Sequence, residues 1–482
     1  MSVAAGVRVT SDAPRIRIRP RFRGRELGLL IVVGIGLLLG SLSLGATQQL
    51  KAAVANGDKT PGNLLVPANF DLLVIYVGAL LLVHVVFVVA GRRTDQILLP
   101  AVGLLGGIGL LLMERLPQDL AGSLGGLART QLVWLLIGFG LIAILGVAVR
   151  NDVWLRRYKY TWAAVGVALL LLTFVFGRDV NGARLSLSLG PVSGQPSELL
   201  KVILVIFLAG YLSENRPLLV EESTKIGPLR VPPLPYLAPM VAMWAIALGI
   251  VIVQKDLGAA LLFFAVFLLL LYVSTARLSY VALGLVAFVL GAAALYFVFG
   301  HVRTRIDIWI DPFADANGSG YQVVQALHAF ARGGLIGTGL GGGLPNIAGR
   351  PPIPALHTDF PFAALGEELG LVGILAILGL YLVLVERGLR IAAAAHDEYR
   401  AILAAGLSLV IGVQAFIIAG GNLKLIPLTG ITLPFISYGG SSLIANAVIA
   451  GLLIALSERT RDPLPAPRRP NRLRRIFDRG AP

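Results

Sequence analysis

HTDFPFAALGEELGLVGILAILGLYLVLV, residues 357–385, decides the fold. Three polar side chains, His357, Thr358 and Asp359, lead into a run from Pro361 to Val385 that is apolar except for Glu367 and Glu368. A run of this length crosses a hydrocarbon core of about 30 Å as one helix. Similar runs recur at about 27–46, 69–90, 97–113, 131–149, 160–177, 197–213, 235–253, 257–274, 279–300, 401–420 and 440–457. With 56% hydrophobic residues, 14% charged residues and a mean hydropathy of +0.81, the 482-residue chain reads as an all-α integral membrane protein, a polytopic helical bundle of about twelve spans. The first run follows an Arg-rich arm, but its length and the lack of a small-residue cleavage site predict a retained anchor.

The net charge of +15 is concentrated at the two ends. Arg15, Arg17, Arg19, Arg21, Arg23 and Arg25 precede the first span, and Arg468, Arg469, Arg472, Arg474 and Arg475 follow the last. Loop arginines at 92, 93, 150, 156, 157, 387 and 390 fall on the same side of the alternation, so both termini are expected in the cytoplasm. Basic arms in such places set topology and attract anionic lipid; no nucleic-acid role is expected. The chain has no cysteine, which excludes disulfides, thiolate catalysis and cysteine-held metals.

The alternation places the loops at 47–68, 114–130, 178–196, 301–360 and 421–439 outside, and most informative polar residues lie there. The Gly-rich run GGLIGTGLGGG, Gly333–Gly343, has no strand before it, so a phosphate-binding loop is a poor reading. A flexible or re-entrant connection is expected. In NGARLSLSLGPVSGQPSELLK, residues 181–201, Pro196 and Ser197 suit a helix start. There Glu198 favours the helix dipole, and Lys201 can pair with it one turn on. VQKDLGAALL, residues 253–262, places Lys255 and Asp256 between two apolar runs, as in the turn of a hairpin. In residues 303–334, Asp307, Asp311 and Asp315 are spaced by four, but Pro312 argues against one helix face. Arg303, Arg305 and Arg332 in the same stretch suit phosphate oxygens. NLKLIPLTGITLPFISYGGSSLIANA, residues 422–447, breaks the helical pattern at Pro427, Gly430, Pro434, Gly439 and Gly440. Irregular backbone at a membrane must be buried in protein or line a cavity.

Read in order, GAR and QPSELLK, QKDLG, DPFADANGSGYQ, HTDFPFAALGEELGLVG and PLTGITLPFISYGGSS resemble the SEDS family, the bacterial shape, elongation, division and sporulation proteins. The resemblance spans roughly residues 97–457 and implies a ten-helix core, preceded here by a cytoplasmic arm (1–25) and two extra spans within 26–96. The core carries the large outer loop 301–360 and is followed by a basic cytoplasmic tail (458–482). By resemblance the chain is a peptidoglycan glycosyltransferase of the bacterial cytoplasmic membrane. It would polymerise lipid II at the outer face beside a class B penicillin-binding protein, within membrane lipid. The extra spans favour an elongation-type over a division-type role. The family's key acidic residue precedes the GSGYQ-like element and maps to Asp315, with Asp311 in reserve. Asp315 is then a candidate base, or a ligand for Mg²⁺ or Mn²⁺, and no organic cofactor is implied.

Candidate substrate-binding residues are Arg184, Glu198, Lys201, Asp256, Arg303, Arg305, Arg332, His357, Asp359, Glu367, Glu368, Lys424 and Ser437. Three departures stand out: Ala316 and Asn317 where Pro and Phe are common, no Trp after Arg184, and Lys255 in place of Pro. A lipid flippase or transporter, and a non-enzymatic cell-wall scaffold, are the rival classes; alternating access also uses broken helices and intramembrane carboxylates.

Overall fold

The computed structural model describes residues 20–57, 64–120, 125–150, 152–180, 183–189, 192–221, 224–226, 229–231, 254–344 and 352–458, with isolated residues between 238 and 252. The basic arm up to residue 19, the tail from 459 and most of the expected span 235–253 lie outside them. Nine described helices are long and apolar enough to cross a membrane, and two shorter apolar helices accompany them. The chain is a multi-pass membrane protein.

The helices are α1 (Gly24–Asn56), α2 (Phe70–Val89), α3 (Leu98–Glu114), α4 (Leu127–Ala148), α5 (Lys159–Phe176) and α6 (Pro196–Glu221). They continue with α7 (Leu257–Thr275), α8 (Leu278–Val298), α9 (Gly300–Ile310), α10 (Tyr321–Gly333), α11 (Pro361–Ala393), α12 (Glu398–Asn422) and α13 (Gly440–Leu456). Small antiparallel hairpins are the only strands among the described residues: Arg178–Val180, Ala183–Leu189 and Val192–Gly194 in one set, Thr224–Ile226 and Leu229–Val231 in the other.

Helices α6, α7, α12 and α13 form the centre, and α4, α5 and α11 pack around them. Burial follows position: most of α6 and α12 is enclosed, whereas the apolar window of α8, which packs on α7, has no fully buried residue. Helices α1 and α2 lean on α3 and α4 from one side. Helix α1 has 33 residues, about 50 Å at 1.5 Å per residue, and so outruns a hydrocarbon core of about 30 Å.

Of the two expectations for the Gly-rich run, flexible or re-entrant, the described residues 333–344 do not show the flexible one: they form ordered turns. Helix α11 is broken at Gly370 (φ 65°, ψ −168°), which frees backbone groups around the break. The Gly-rich run supplies their partners: Leu371 and Val372 donate N–H to Gly334 and Leu335 carbonyls at 3.0 and 3.1 Å. In return Thr338 and Gly339 donate to the Glu367 and Glu368 carbonyls, both at 3.0 Å. A Cβ at Gly370 would fall on the Gly337 nitrogen, and its left-handed φ suits glycine. Buried backbone needs such partners, which is why a Gly-rich segment is ordered here.

The two ends of the bundle differ in charge chemistry. At one end Arg92 pairs with Glu458, Lys159 with Glu214, Arg216 with Glu398, Arg400 with Asp152 (2.9 Å) and Arg387 with Asp95 (3.7 Å). The loop helices α9 and α10 and the broken segment 423–439 gather at the other end.

Candidate functional site

Helix α9 stops at Ile310 because Pro312 follows, as the sequence predicts. The Asp311 carboxylate caps the next turn by accepting the Phe313 N–H at 3.0 Å, and Pro312–Asp315 forms a 3-10 turn. Asp315 ends this turn, exposed. One of its oxygens, Oδ2, accepts both the Ser319 N–H (2.7 Å) and the Ser319 hydroxyl (2.9 Å). These bonds hold the carboxyl below the usual carboxylate range. The Gly318 N–H also lowers it. The cleft in front of it, about 430 Å³, is lined by Thr304, Asp307, Asp311, Asp315 and Ser319 with apolar neighbours. Its polar lining is carboxylates and hydroxyls, without a cation.

Two of the expected cations are engaged elsewhere. Arg303 lies over the Tyr296 ring at 5.5 Å, and Arg332 donates to Glu367 at 2.8 Å. Lys424 has a left-handed φ of 59°, and its carbonyl accepts from Trp309 Nε1 at 3.2 Å. Arg184 lies on the second strand, and its side chain is outside the described residues.

A second polar region lies across α9 from the cleft. Arg305 donates to the Leu428 and Thr429 carbonyls at 3.2 and 2.9 Å. A side chain at Gly430 would reach Asp359 Oδ2 at 3.8 Å and Arg305 Nη2 at 3.9 Å, so all three meet around that glycine. Burial lowers the Arg305 pKa, and Asp256 and Asp359 oppose the shift. Burial raises Asp359 to about 6, against a Thr358 hydrogen bond and the Arg305 charge. Asp256, the cap of α7, accepts the Ala259 N–H (3.0 Å), Gln195 (3.1 Å) and Ser197 (3.2 Å), and burial still raises its pKa.

The 357–360 segment docks on the broken segment. Tyr438 donates its N–H to the His357 carbonyl (2.8 Å), and Ser437 donates its hydroxyl to the Thr358 carbonyl (2.7 Å). Asn422 donates to the Asp359 carbonyl at 2.9 Å. Ser437 thus serves the backbone. The His357 ring lies against Tyr438, with Nδ1 buried and unpartnered and a pKa lowered by burial.

Inside the bundle, Lys201 donates to Glu198 (2.6 Å), Gln414 (2.8 Å) and Asn446 (3.1 Å). The expected pair is therefore the centre of a network that Thr432 and Ser442 extend. The sequence reading missed Gln414, Asn446, Ser319 and Arg115. Gln414 and Asn446 carried a usable signal, since an amide within an apolar span needs a partner. Glu367 and Glu368 are both buried, which the helix geometry alone required of at least one. Glu367 holds Arg332 and the Leu344 N–H (3.0 Å); Glu368 pairs with Arg115 and takes the Gly341 N–H (2.8 Å). Both are tied into the loop's framework rather than turned to the Asp315 cleft.

Asp307, Asp311 and Asp315 share a cleft, but no three carboxylate or histidine groups among the described residues converge on a metal-sized point. The donor set does not fit a divalent cation held by protein alone.

Residues 96–462 match the family model for FtsW, RodA and SpoVE, described as "Cell cycle protein". The chain is 42% identical over 377 residues to the peptidoglycan glycosyltransferase RodA of Mycobacterium tuberculosis, covering 77% of this chain and 79% of that one. It is 37% identical over 382 residues to the probable peptidoglycan glycosyltransferase FtsW of Nitrosococcus halophilus, covering 77% and 94%. Among solved structures it matches a chain of a peptidoglycan synthase complex, described as coordinating polymerization and crosslinking. That match has a TM-score of 0.61 and 28% identity over 76% of this chain and 98% of the other. The rod shape determining protein RodA of Thermus thermophilus matches with a TM-score of 0.53 and 26% identity, over 76% and 97%.

Proposed function

The chain belongs to the FtsW, RodA and SpoVE family of cell cycle proteins, and on that premise we propose that it is a peptidoglycan glycosyltransferase. It polymerises lipid II at the outer face of a bacterial cytoplasmic membrane, with both termini in the cytoplasm. The observation that carries the reading is Asp315: an exposed, ionised carboxylate with one oxygen tied to Ser319, in a cleft suited to sugar hydroxyls.

The acceptor hydroxyl oxygen attacks the anomeric carbon of the donor. A new C–O bond forms with inversion, the bond to pyrophosphate breaks, and undecaprenyl pyrophosphate leaves with the electron pair. Asp315 Oδ1 takes the hydroxyl proton as general base. Ser319 fixes the carboxylate's orientation, which leaves less to organise in the transition state. No step is routed through a metal ion, because the residues present do not hold one.

A partner transpeptidase of the penicillin-binding class is proposed from the synthase complex that the fold resembles. The elongation-type role rests on the extra spans α1 and α2 and on the higher identity to the RodA relative.

The test is incubation of the purified chain and its partner with labelled lipid II. Glycan polymer supports the enzyme. Movement of lipid II across vesicles without polymer would instead assign a flippase, and complex formation with neither activity a scaffold.

A further inference from the structure

A groove of about 230 Å³ runs between α1, α3 and α11, apart from the Asp315 cleft. Its walls are apolar: Leu37 and Leu44 from α1, Leu104 and Ile108 from α3, Leu365 and Leu369 from α11. Leu340 covers one end, held by Thr47 and Lys51 of α1, which donate to the Leu340 and Gly341 carbonyls at 3.0 and 2.6 Å. The groove's one charged side chain is Arg115, just past the end of α3, and its side chain is 95% buried, being 5% exposed. Arg115 Nη1 pairs with Glu368, whereas Nε and Nη2 are buried with no acceptor among the described residues. A buried guanidinium N–H without an acceptor is costly, so a ligand that brings one is favoured.

We propose that this groove binds one acyl chain of a glycerophospholipid, whose ester carbonyl accepts from Arg115 Nε and Nη2. Two observations select that occupant. The walls match a hydrocarbon tail, and Arg115 stands just past the end of the apolar helix α3, where a helix of this kind leaves the hydrocarbon for the polar interface. Glu368 already neutralises Arg115, so a neutral carbonyl is accepted where a full anion meets the Glu368 carboxylate. A polyprenyl phosphate offers only the anion. Because α1 and α11 both line the groove, the lipid seals the extra N-terminal helix against the core. This inference does not depend on the polymerase reading.

Gly36 gives a clean test, because a Cβ there meets nothing within 4 Å and its side faces the groove. The purified full-length chain is titrated with 1-palmitoyl-2-oleoyl phosphatidylglycerol and the bound lipids are counted by native mass spectrometry. Wild type is expected to keep one lipid more than Gly36→Phe, with binding at that site at least about tenfold weaker in the variant. The dialkyl ether analogue, which lacks the carbonyl, is expected to bind wild type about tenfold more weakly than the ester lipid. Arg115→Lys preserves the charge opposite Glu368 but loses the fork, and should abolish that ester preference. Equal lipid counts in wild type and folded Gly36→Phe, equal affinity for ester and ether lipids, or undecaprenyl phosphate displacing the phospholipid at lower concentration would each overturn the proposal. Should Gly36→Phe fail to fold, the ester preference in wild type and Arg115→Lys decides.

Discussion

Asp359→Asn separates what the site costs in stability from what it does. The carboxyl at 359 is raised from an ordinary value of 3.8 to about 6, chiefly by burial, and the Arg305 charge offsets only part of that. The folded protein therefore holds its proton more tightly than the unfolded chain. Stability from this group is fully present below about pH 4 and is lost as pH rises through about 6. The displacement corresponds to about 3 kcal/mol, and about 1–2 kcal/mol remains once the residue's accessible surface is allowed for. Asparagine has nearly the same shape and no charge. Asp359→Asn should match wild type at pH 4 and be more stable by about 1–2 kcal/mol at pH 7.5. The assay is unfolding in mixed detergent micelles from pH 4 to 8. Polymerisation by the variant should fall although the protein is more stable, as expected where a functional charge is kept at a cost in stability. A stability difference independent of pH, or an asparagine variant weaker than wild type at pH 7.5, would refute the reasoning.

Glu368→Gln takes from the buried Arg115 its direct ion-pair partner, leaving only the nearby Glu367 charge, and should cost about 3 kcal/mol of unfolding free energy. Adding Arg115→Met should restore much of the loss, and strictly additive losses would contradict the pairing. Lys201→Met strips Glu198, Gln414 and Asn446 of their shared donor and should cost about 3–5 kcal/mol. Combined with Glu198→Gln, a double-mutant cycle should show coupling of about 0.5–3 kcal/mol. Ser319→Ala removes the hydroxyl donor to Asp315 Oδ2 and keeps the backbone N–H, so the carboxyl pKa should rise part of the way toward the ordinary range. The acid limb of kcat/KM then moves to higher pH, and an unmoved limb would show that Asp315 does not set it.

The spans were legible because apolar runs must hide their backbone in helices within lipid, and the expected start of α6 at Pro196 and break at Pro312 both stand in the structure. The Glu198–Lys201 pair was legible from spacing alone. The fate of the Gly-rich run was not, because its order depends on the break at Gly370, and glycine spacing does not reveal which distant backbone will supply partners. The roles of arginines were equally hidden. Arg305 and Arg332 look alike in sequence, yet one is spent on the carbonyls of Leu428 and Thr429 and the other on Glu367. Arg115 and Glu368 are far apart in the chain, so nothing local marks them as partners. Asp315 was found through the resemblance, since three aspartates at equal spacing are indistinguishable until the Pro312 turn and Ser319 single one out.

Turnover of labelled lipid II by Asp315→Asn, beside Asp311→Asn and wild type, all with the transpeptidase partner, tests the chemistry most directly. Asparagine at 311 keeps a capping side chain for the 3-10 turn and should stay within a few-fold of wild type. Asparagine at 315 should lower turnover at least about 100-fold with an unchanged melting temperature. Wild-type turnover by a folded Asp315→Asn protein would contradict the assignment of the base.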